Sequence, residues 1–507
     1  MRLGIDLGTT RTVVAVEDRG NFPVVSFTDD AGDACDWFPS VVAERDCELR
    51  FGFDAVAVAG QPGWTLVRSF KRHASELERL VRVGTMALPV GELLTRFLGA
   101  LREAILTRSN LPKRLTKDGV LEAVLSVPAN APGTQRFLTI DAFRRAGIGV
   151  RSLLNEPSAA GFEYSHRHRA TLTSRREHVV VYDLGGGTFD ASLVRMTEGH
   201  HDVVATAGIS RLGGDDFDDV LLDLLLAKAG VARASLDESQ LTLLAEQCRG
   251  VKERLHPSTR KIAVELEGGL GEATIPASEF YEAAAFLVER TIDAMAPILT
   301  RLDDDEARAA VPDDVAGIYV VGGASSLPLV GRMLRDRFGR RVHRSPYPSA
   351  ATAIGLAIAG SETAGYALTD RFSRVFGVFR EAEDGRVASF DPIFGRDVAV
   401  PHAGERETVV RAYQAAHNVG HYRFLECPAV ADDGSPRGEI TPLADALFPF
   451  DPALRDDGAD LRAVPVRRMP AGGPHVEERY AIDEHGLVEI TIRDVGSGYE
   501  RSYRVGA

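Results

Sequence analysis

The amino-acid sequence predicts an α/β fold with an internal duplication, followed by an all-β domain. Two similar segments indicate the duplication, because each has an apolar strand, a turn that begins with aspartate and contains glycine and threonine, and a second apolar strand. Asp6 opens the first turn and Asp183 the second, a spacing far too long for a short-period repeat. Strands and helical stripes alternate as far as Gly360, and strand alternation dominates beyond it.

Size and composition are those of a globular protein with more than one domain. The chain has 507 residues, of which 44% are hydrophobic and 26% charged, and it exceeds the size of a single core. Its net charge of −14 disfavours nucleic acid and anionic membranes as partners. No apolar run reaches the roughly 18 residues of a membrane span, and the first residues lack the apolar core of a signal peptide. We therefore expect a cytoplasmic protein.

The four cysteines do not form a recognisable framework. They are scattered and include no Cys-x-x-Cys pair, so the sequence suggests neither a zinc site nor disulfide pairing. Four reduced thiols are the expectation for a cytoplasmic protein.

The first half is predicted to open with a strand, a turn and a strand. The apolar residues Leu3, Ile5 and Leu7 stop at the Gly-Thr-Thr turn, and an apolar run resumes at residues 12–16. Apolar residues at helical spacing then predict helices over Val90–Thr107 and Thr134–Ala146.

The second half repeats this order. The apolar run Val179–Asp183 stops at three glycines and resumes at Phe189–Val194. A buried strand, Ile318–Val321, runs into Gly322 and Gly323. Helical stripes predict further helices at Asp218–Ala229, Leu241–Arg254 and Ser278–Leu299.

A polar segment with an apolar patch at Tyr366, Ala367 and Leu368 follows the second half. We place a first domain at residues 1–361, a linker at 362–370 and a β-domain at 371–507. The alternating residues near the end of the chain, such as Val488, Ile490 and Ile492, predict strands of the β-domain.

The glycine-rich turns predict phosphate and metal chemistry. Glycine lets backbone N–H groups approach phosphate oxygens closely, threonine adds a hydroxyl donor, and aspartate can hold Mg²⁺ through its waters. A single glycine-rich turn is usually only a turn, but two copies with aspartate at the same offset could hold a triphosphate from both sides. The sequence contains neither a Gly-x-x-x-x-Gly-Lys-Ser/Thr loop nor the signatures of protein kinases.

These motifs resemble those of the heat-shock protein 70 (DnaK-type) family in the actin-like ATPase superfamily. Asp6-Leu7-Gly8-Thr9-Thr10 is similar to the first phosphate loop of the superfamily. The second phosphate loop, in the form typical of this family, is similar to Asp183-Leu184-Gly185-Gly186-Gly187-Thr188-Phe189-Asp190. Further similar blocks follow in order at residues 70–72, 126–129, 155–160, 213–218, 321–323 and 353–355.

The resemblance implies a duplicated actin-like (ribonuclease-H-like) ATPase domain followed by an all-β sandwich. It also implies Mg²⁺-dependent hydrolysis of ATP to ADP. Lys71 would stabilise the charge that develops on the transferred phosphoryl group, and Glu156 would orient the attacking water. Asp183 and Thr188 would complete the catalytic group, and Asp6, Asp183 and Asp190 would hold Mg²⁺ and its waters.

The same resemblance implies a set of nucleotide-binding residues. Thr9, Thr10 and Thr188 would contact the phosphates, and Lys252 is the helical lysine of the nucleoside side. The remaining positions are glycines at which the backbone meets the phosphates and ribose: Gly8, Gly185, Gly186, Gly187, Gly213, Gly214, Gly322 and Gly323.

The nucleoside side departs from the family pattern. Arg249 stands where the family usually has an acid, and Glu253 where an arginine can stack on the base. His256 replaces a serine, and Ala324 and Ser326 replace polar or basic residues. We therefore expect phosphate binding to be kept more closely than selectivity for adenine.

The β-domain resembles the polypeptide-binding sandwich of the family. Tyr480–Ile490 and Ser497–Glu500 match its last strands, and the segment from Phe372 to Val378 its first strand. No residues follow Ala507 that could form the helical lid of the family, so we expect a lidless member. The implied partners are unfolded or specific client polypeptides, with J-domain and nucleotide-exchange co-chaperones.

Four functions fit this fold, and the sequence orders them. An ATP-dependent chaperone for protein folding and the stress response accounts for both domains and the linker. A nucleotide-dependent scaffold for one dedicated partner would have the same architecture. A small-molecule kinase would need a substrate pocket with its own catalytic aspartate, for which no motif is present, and an actin-like filament former would leave the β-domain unexplained.

Overall fold

The computed structural model describes most of the chain. The described residues are 2–111, 119–168, 171–173, 175–197, 200–209, 211–266, 269–300, 312, 314–361, 367–369, 372, 374–382, 386–396, 398–402, 404–455, 460–469 and 472–504. They form two compact units. The first comprises Met1–Ala74, Glu78–Ala129 and Asp141–Leu368, and the second Ser75–Leu77, Asn130–Ile140 and Thr369–Ala507.

The first part of the chain contains both strands and helices. The strands are β1 Arg2–Leu7, β2 Arg11–Val16, β3 Phe27–Thr28, β4 Ala34–Cys35, β5 Phe38–Pro39, β6 Val41–Arg45, β7 Glu48–Phe51, β8 Thr65–Arg68, β9 Leu80–Val83, β10 Met86–Pro89, β11 Leu121–Val127, β12 Ile148–Asn155, β13 His178–Leu184, β14 Phe189–Thr197, β15 His200–Ile209, β16 Lys261–Leu266, β17 Gly271–Pro276, β18 Val315–Val321, β19 Val342–Arg344 and β20 Ala367–Thr369. The helices are α1 Phe53–Val56, α2 Val90–Thr107, α3 Gly133–Arg145, α4 Glu156–His168, α5 Gly214–Ala229, α6 Glu238–Glu253, α7 Ala277–Thr300, α8 Pro328–Phe338 and α9 Ala351–Ala359.

Two related sheets confirm the duplication in the first unit. The first sheet has the order β12-β11-β1-β2-β5 and the second the order β19-β18-β13-β14-β15-β20. An antiparallel hairpin lies within each sheet, and parallel strands continue on one side of it. In the first hairpin Asp6 pairs with Val13, and in the second Asp183 pairs with Asp190. Both predicted strand–turn–strand segments are therefore hairpins.

Helices α4 and α9 cross between the two sheets. The apolar side chains of α4, such as Tyr164, pack against the second sheet, although α4 directly follows the last strand of the first sheet. Helix α9 follows β19 of the second sheet and packs against β1 and β2 of the first. The backbones touch where they cross, since a Cβ atom on Gly355 would lie 1.7 Å from the carbonyl oxygen of Ala159. In each half of the duplication, the last helix thus packs against the sheet of the other half.

The second unit contains an antiparallel β-sandwich. Its strands are β21 Val375–Ala382, β22 Val387–Phe394, β23 Glu407–Gln414, β24 Val419–Cys427, β25 Ala429–Val430, β26 Pro436–Arg437, β27 Thr441–Pro449, β28 His475–Ile482, β29 Val488–Asp494 and β30 Glu500–Arg504. One sheet has the order β22-β21-β24-β27 and the other β23-β28-β29-β30. Buried aromatic and aliphatic side chains from both sheets, including Phe376, Phe424 and Ile490, form one core. The predicted all-β domain is confirmed.

Most of the predicted elements are present, with small differences at their ends. Helix α2 has the predicted bounds, and α3, α5 and α7 begin up to four residues earlier than predicted. Helix α6 begins at Glu238 rather than Leu241, because Asp237 caps it and accepts a hydrogen bond from the backbone of Gln240 at 2.8 Å. Among the described residues, no helix is both long and apolar enough to cross a membrane. Tyr366 of the predicted linker lies outside the described residues.

Candidate active site

The turns of the two hairpins face each other across a cleft in the first unit. A Cβ atom on Gly186 would lie 2.0 Å from Oγ1 of Thr10, so only glycine lets the two turns approach this closely. Each turn is closed by a backbone hydrogen bond. Gly8 N donates to the carbonyl of Asp6 at 3.1 Å, and Gly185 N donates to that of Thr188 at 3.0 Å.

The adjacent glycines Gly213 and Gly214 support the second turn. Gly214 N donates to the carbonyl of Gly185 at 2.9 Å, and Asp215 N donates to that of Gly186 at 2.8 Å. A Cβ atom on Gly213 would lie 2.5 Å from the backbone nitrogen of Gly187, so a side chain at position 213 would collide with the second turn. Helix α5 begins here, and the N-terminus of a helix favours bound anions.

These turns enclose a cavity of about 450 Å³. Its walls come from both halves of the duplication. The lining residues are Asp6, Gly8, Thr9, Thr10, Arg11, Trp37, Lys71, Glu156, Asp183, Gly185, Gly186, Thr188, Gly214, Asp215, Arg249, Lys252, Glu253, Arg254, Leu255, Gly322, Gly323, Ala324, Ser326, Leu327, Pro348, Ser349 and Thr352. The volume and the polar walls suit a polar ligand of small-molecule size.

Lys71 and Glu156 form a buried ion pair in the wall of the cavity. The Lys71 ammonium donates to Glu156 Oε1 at 3.1 Å, and each residue is 8% exposed. Burial alone would lower the pKa of Lys71, but the negative charges of Glu156, Asp6 and Asp190 outweigh it and raise that pKa. Lys71 is therefore a fixed cation at neutral pH, and Glu156 is held in one orientation beside it.

Three aspartates crowd around this pair. Desolvation, followed by the charge of Glu156, raises the pKa of Asp6 to about 7, although Lys71 opposes the shift. The same two causes raise the pKa of Asp190 to about 7. Desolvation and the charges of Glu156, Asp6 and Asp190 raise the pKa of Asp183 well above its usual value. The cleft therefore holds more carboxyl groups than Lys71 alone can keep ionised, and a bound cation would favour their charged forms.

The donor set fits a hydrated magnesium ion. Carboxylate oxygens are the ligands that Mg²⁺ prefers. Among the described residues, however, no three histidine, cysteine, aspartate or glutamate side chains lie close enough together to hold a metal ion. An ion that keeps several of its waters and contacts the carboxylates through them agrees with both observations.

One threonine hydroxyl has spare hydrogen-bonding capacity at the turns. Oγ1 of Thr10 is buried and has no hydrogen-bond partner within the described part of the chain. A buried polar atom of this kind normally has a partner, so Thr10 is poised to bond a ligand oxygen in the cavity.

The side of the cavity formed by helix α6 is dominated by charge pairs. Lys252 contacts Asp218 at 2.7 Å and donates to the carbonyl of Gly214 at 2.6 Å. Arg249 contacts Glu246 at 2.9 Å, Asp215 at 3.2 Å and Asp218 at 3.5 Å. Three carboxylates therefore neutralise the charge of Arg249, which occupies the position where the family usually has an acid.

Arg11 and Glu253 join opposite walls of the cavity. Their guanidinium and carboxylate groups are 2.5 Å apart, and the Arg11 guanidinium lies 4.0 Å from the ring centroid of Trp37. Glu253 thus forms an ion pair with Arg11 of the first hairpin. In the family this position can hold an arginine that stacks on the base. A nucleobase would meet an ion pair here.

The structure brings most of the predicted site residues to one cavity and leaves three outside its lining. Gly187, Gly213 and Asp190 do not line it. Asp190 is buried beside the second turn, where it accepts a hydrogen bond from Thr188, and Gly187 offers its carbonyl to Arg72 at 3.1 Å. The other predicted residues all line it.

Several lining residues were not expected from the sequence. Trp37, Pro348 and Ser349 come from segments without a motif, and Thr352 directly precedes the block at residues 353–355. Arg11 directly follows the first glycine–threonine turn, so its position in the sequence was a usable signal.

The fold and the cleft together define an ATPase of the actin-like class. Comparison with known proteins makes this more specific, because the family model for the Hsp70 protein matches residues 101–372. The chain is 31% identical to the HscA chaperone homologue of Variovorax paradoxus over 526 residues, which covers 99% of this chain and 78% of that protein. Its identity to the homologue of Burkholderia pseudomallei (strain K96243) is 32% with the same coverage. Its identity to HscA of Serratia proteamaculans is 31%, covering 99% of this chain and 77% of that protein.

The chain therefore belongs to the heat-shock protein 70 family. It is an ATPase and an ATP-dependent chaperone of that type, as the sequence motifs predicted. The two-part architecture, an actin-like ATPase domain followed by a β-sandwich, is also that of the family.

Proposed function

We propose that hydrolysis of ATP in the cleft of the first unit controls the binding of client polypeptides by the β-sandwich of the second. The observation that carries this proposal is the juxtaposition of two aspartate turns with the buried Lys71–Glu156 pair in one cavity. Such an arrangement of fixed charges suits phosphoryl transfer to water, in which catalysis depends mainly on positioning and electrostatic stabilisation.

Glu156 and Lys71 have complementary roles in this proposal. Glu156 accepts a hydrogen bond from the attacking water and aligns it with the terminal phosphorus. Lys71, held 3.1 Å from Glu156 Oε1, donates to the phosphoryl oxygens on which negative charge develops. Since Lys71 is already ordered by its ion pair, little reorganisation is needed when the charge forms.

Asp6, Asp183 and Asp190 are the proposed holders of a hydrated Mg²⁺. The ion, when bound, would neutralise part of the phosphate charge. Asp6 is oriented by Ser126, whose hydroxyl donates to its Oδ1 at 3.1 Å. The glycine backbones of the two turns and the hydroxyls of Thr9, Thr10 and Thr188 are the proposed phosphate ligands, along with the first turn of α5.

The nucleoside would lie between helix α6 and the Gly322–Gly323 turn. Lys252 is the proposed lysine of this side, but its ammonium already contacts Asp218 and the Gly214 carbonyl. A ligand must therefore share Lys252 with these groups. We expect phosphate contacts to supply most of the binding free energy.

Strand β20 is the proposed point of coupling between nucleotide and client. This short strand, part of the predicted linker, forms the edge of the second sheet beside β15. Under this proposal its pairing with β15 depends on the bound nucleotide. J-domain and nucleotide-exchange proteins would then be the partners that set the rates of the cycle.

Steady-state ATP hydrolysis with and without an unfolded polypeptide tests the proposal. We expect Asp183→Ala to lower turnover by about 100- to 1,000-fold, because a positioned charge contributes about that much to catalysis. The variant should still fold, since burial and like charges disfavour the Asp183 carboxylate in the native state.

We expect the polypeptide to change the rate of ATP hydrolysis by the native protein. Wild-type turnover in the variant would contradict the assigned site, and a rate insensitive to every polypeptide would contradict the coupling.

A further inference from the structure

The ion pair between Arg11 and Glu253 leaves one hydrogen-bond acceptor in the cavity of the first unit. Nη2 of Arg11 donates to Oε2 of Glu253 at 2.5 Å. The other carboxylate oxygen, Oε1, has no hydrogen-bond partner within the described part of the chain, and Glu253 lines the cavity. Because the Glu253 side chain is 39% exposed, a small polar ligand can reach it. A ligand with a hydrogen-bond donor would find a partner there.

The carboxylate of Glu253 is held in one orientation by its neighbours. Glu253 is the last residue of α6, so the helix fixes its backbone. Arg11 begins β2, and its pairing with Pro39 of β5 brings the nearby Trp37 beside it. The Arg11 guanidinium lies 4.0 Å from the centroid of the Trp37 ring, which is a cation–π contact. The acceptor is therefore already positioned before a ligand arrives.

The ion pair is also neutral as a whole. A lone carboxylate in this cavity would repel the phosphates of a nucleotide. Arg11 cancels the charge of Glu253 through a contact of 2.5 Å. Glu253 can therefore accept a hydrogen bond without opposing the binding of a polyanion.

The basic side chains at this end of the cavity cannot replace Glu253 as an acceptor. They are Arg11, Arg249, Lys252 and Arg254, and arginine and charged lysine only donate hydrogen bonds. The amino group of a nucleobase also only donates. Such a group would therefore be left without a partner beside these residues, whereas the free oxygen of Glu253 complements it.

Apolar surface accompanies this acceptor in the lining of the cavity. Leu255 follows Glu253 by two residues, and Ala324 and Leu327 follow the turn at Gly322 and Gly323. A nucleobase has apolar faces and a polar edge. Apolar walls with one placed polar group are the usual way in which a pocket binds and orients such a ligand.

We infer that Glu253 is a specificity-determining residue for the nucleotide, whose carboxylate accepts a hydrogen bond from the exocyclic amino group of adenine. Arg11 is a positioning residue that acts through Glu253. This inference rests on the proposed binding of ATP in the cleft. Adenine is then selected by a hydrogen bond at the position where the family can have a stacking arginine.

Two nucleotides that differ only in this amino group test the inference. They are ADP and purine riboside diphosphate, in which a hydrogen atom replaces the amino group, and neither is consumed by an ATPase. Their dissociation constants are measured by calorimetry with the full chain and Mg²⁺. For the native protein we expect ADP to bind about tenfold more tightly, because a hydrogen bond to a charged group is lost with the amino group. Equal constants would overturn the inference and leave nucleotide binding intact, whereas binding of neither nucleotide would contradict the proposed function as well.

A variant without the acceptor provides the second test. Glu253→Met keeps the length of the side chain at a half-exposed helix end, and we expect the ratio of the two constants to fall to about one. Glu272→Met is the matched control, since Glu272 is an exposed glutamate of β17 that does not line the cavity. This control should keep the native ratio. A native ratio in Glu253→Met would rule out the role of Glu253.

Arg11 is tested through the same ratio. Arg11→Met should lower the preference for ADP without abolishing it, because the carboxylate remains but is no longer oriented. Arg11→Lys keeps a cation and should restore part of the preference. Weaker binding of both nucleotides by the same factor in Arg11→Met, with the native ratio, would overturn the part assigned to Arg11.

Two further measurements exclude other readings of the base. The hydroxyl of Ser326 also lines the cavity and can accept a hydrogen bond. Ser326→Ala should keep the native ratio, and loss of the ratio in this variant would assign the amino group to Ser326 instead. A carboxylate can also accept from the N–H groups of guanine, so GDP is the second probe. Tighter binding of GDP than of ADP by the native protein would overturn the assignment to adenine.

Discussion

At the scale of single residues, the cleft is a balance of fixed charges. Lys71 is the ammonium group that faces Glu156 and, at longer range, Asp6 and Asp190. In the proposed function its charge is used twice, first to hold Glu156 in place and then to stabilise the phosphoryl oxygens. A neutral residue of similar length should remove both effects without opening the cavity.

We predict that Lys71→Met slows single-turnover hydrolysis by about 100- to 1,000-fold. Nucleotide affinity, measured by calorimetry, should change much less, because the glycine turns and the first turn of α5 are further proposed phosphate ligands. Lys228→Met is a matched control, since Lys228 lies exposed in the last turn of α5, and it should leave both quantities unchanged. Equal losses of affinity and rate would make Lys71 a binding residue only.

The sequence identified the residues of the cleft better than the ion pair of Arg380 and Glu478 inside the β-sandwich. Asp6 and Asp183 could be found because each stands at the same offset in a repeated motif. Glu478 belongs to a strand in which Val476 and Tyr480 are also buried, so a carboxylate alternating with inward residues was a signal. A single sequence does not show that Arg380, about 100 residues earlier, completes the pair, since that depends on how two sheets stack.

At the scale of elements, the turn after β29 depends on one carboxylate. Asp494 accepts hydrogen bonds from the backbone of Gly496 at 2.9 Å and from the hydroxyl of Ser497 at 2.6 Å. It also accepts from Arg455 at 2.6 Å. Burial would raise the pKa of Asp494, but these bonds outweigh it and lower that pKa to about 2.

We predict that Asp494→Asn lowers the free energy of unfolding by about 1–3 kcal/mol at pH 7, the range for hydrogen bonds to a charged group. The native pKa lies below the usual value of about 3.9, so the unfolded chain binds more protons between pH 4 and pH 2. The contribution of Asp494 is therefore complete above pH 4 and is lost as the pH falls to 2. Urea unfolding at several pH values measures it.

Asp433→Asn is a suitable control for this prediction. Asp433 also accepts from the backbone and hydroxyl of a nearby serine, Ser435, but it lies in an exposed turn. Water can replace its bonds, so we expect a smaller effect. Equal losses of stability in the two variants would contradict the part assigned to burial.

Elements with a clear apolar period were predicted well. Helix α2 has an uninterrupted stripe, and its bounds were correct. The first turn of α6 is polar and precedes the stripe, so only the cap at Asp237 could have shown its start. The two-residue strands β3, β4 and β5 are too short for any alternation to be visible, and they exist because their neighbours pair with them.

At the scale of the whole molecule, the central question is whether the nucleotide changes the pairing of β20. The structure places β20 beside β15, where an edge strand can be added or removed without disturbing the rest of the sheet. ATP can shift such an equilibrium only through its different affinities for the two states. By reciprocity, a client must then change nucleotide affinity by the same factor.

We predict that protease cleavage between residues 362 and 370 is slower in ATP than in ADP for the native protein. Leu368→Asp should remove this difference, because a charge disfavours docking of the apolar patch, while each ligand still binds its own site. Leu368→Val keeps the apolar character and should retain the protection. Equal cleavage of the native protein in ATP and ADP would favour a passive tether, and with it a scaffold for one dedicated partner.

The crossing of α4 and α9 has a mechanical consequence. Because the Gly355 backbone rests directly on Ala159, the two halves of the first unit have no room to slide past each other at this point. At this point the two halves could move relative to each other only by rotating about the crossing of α4 and α9. Glu156 lies three residues from Ala159 on the same helix, about 5 Å along its axis, and would hardly move. The ion pair between Arg68 of β8 and Glu246 of α6 also connects the two halves, and its geometry would change in such a rotation.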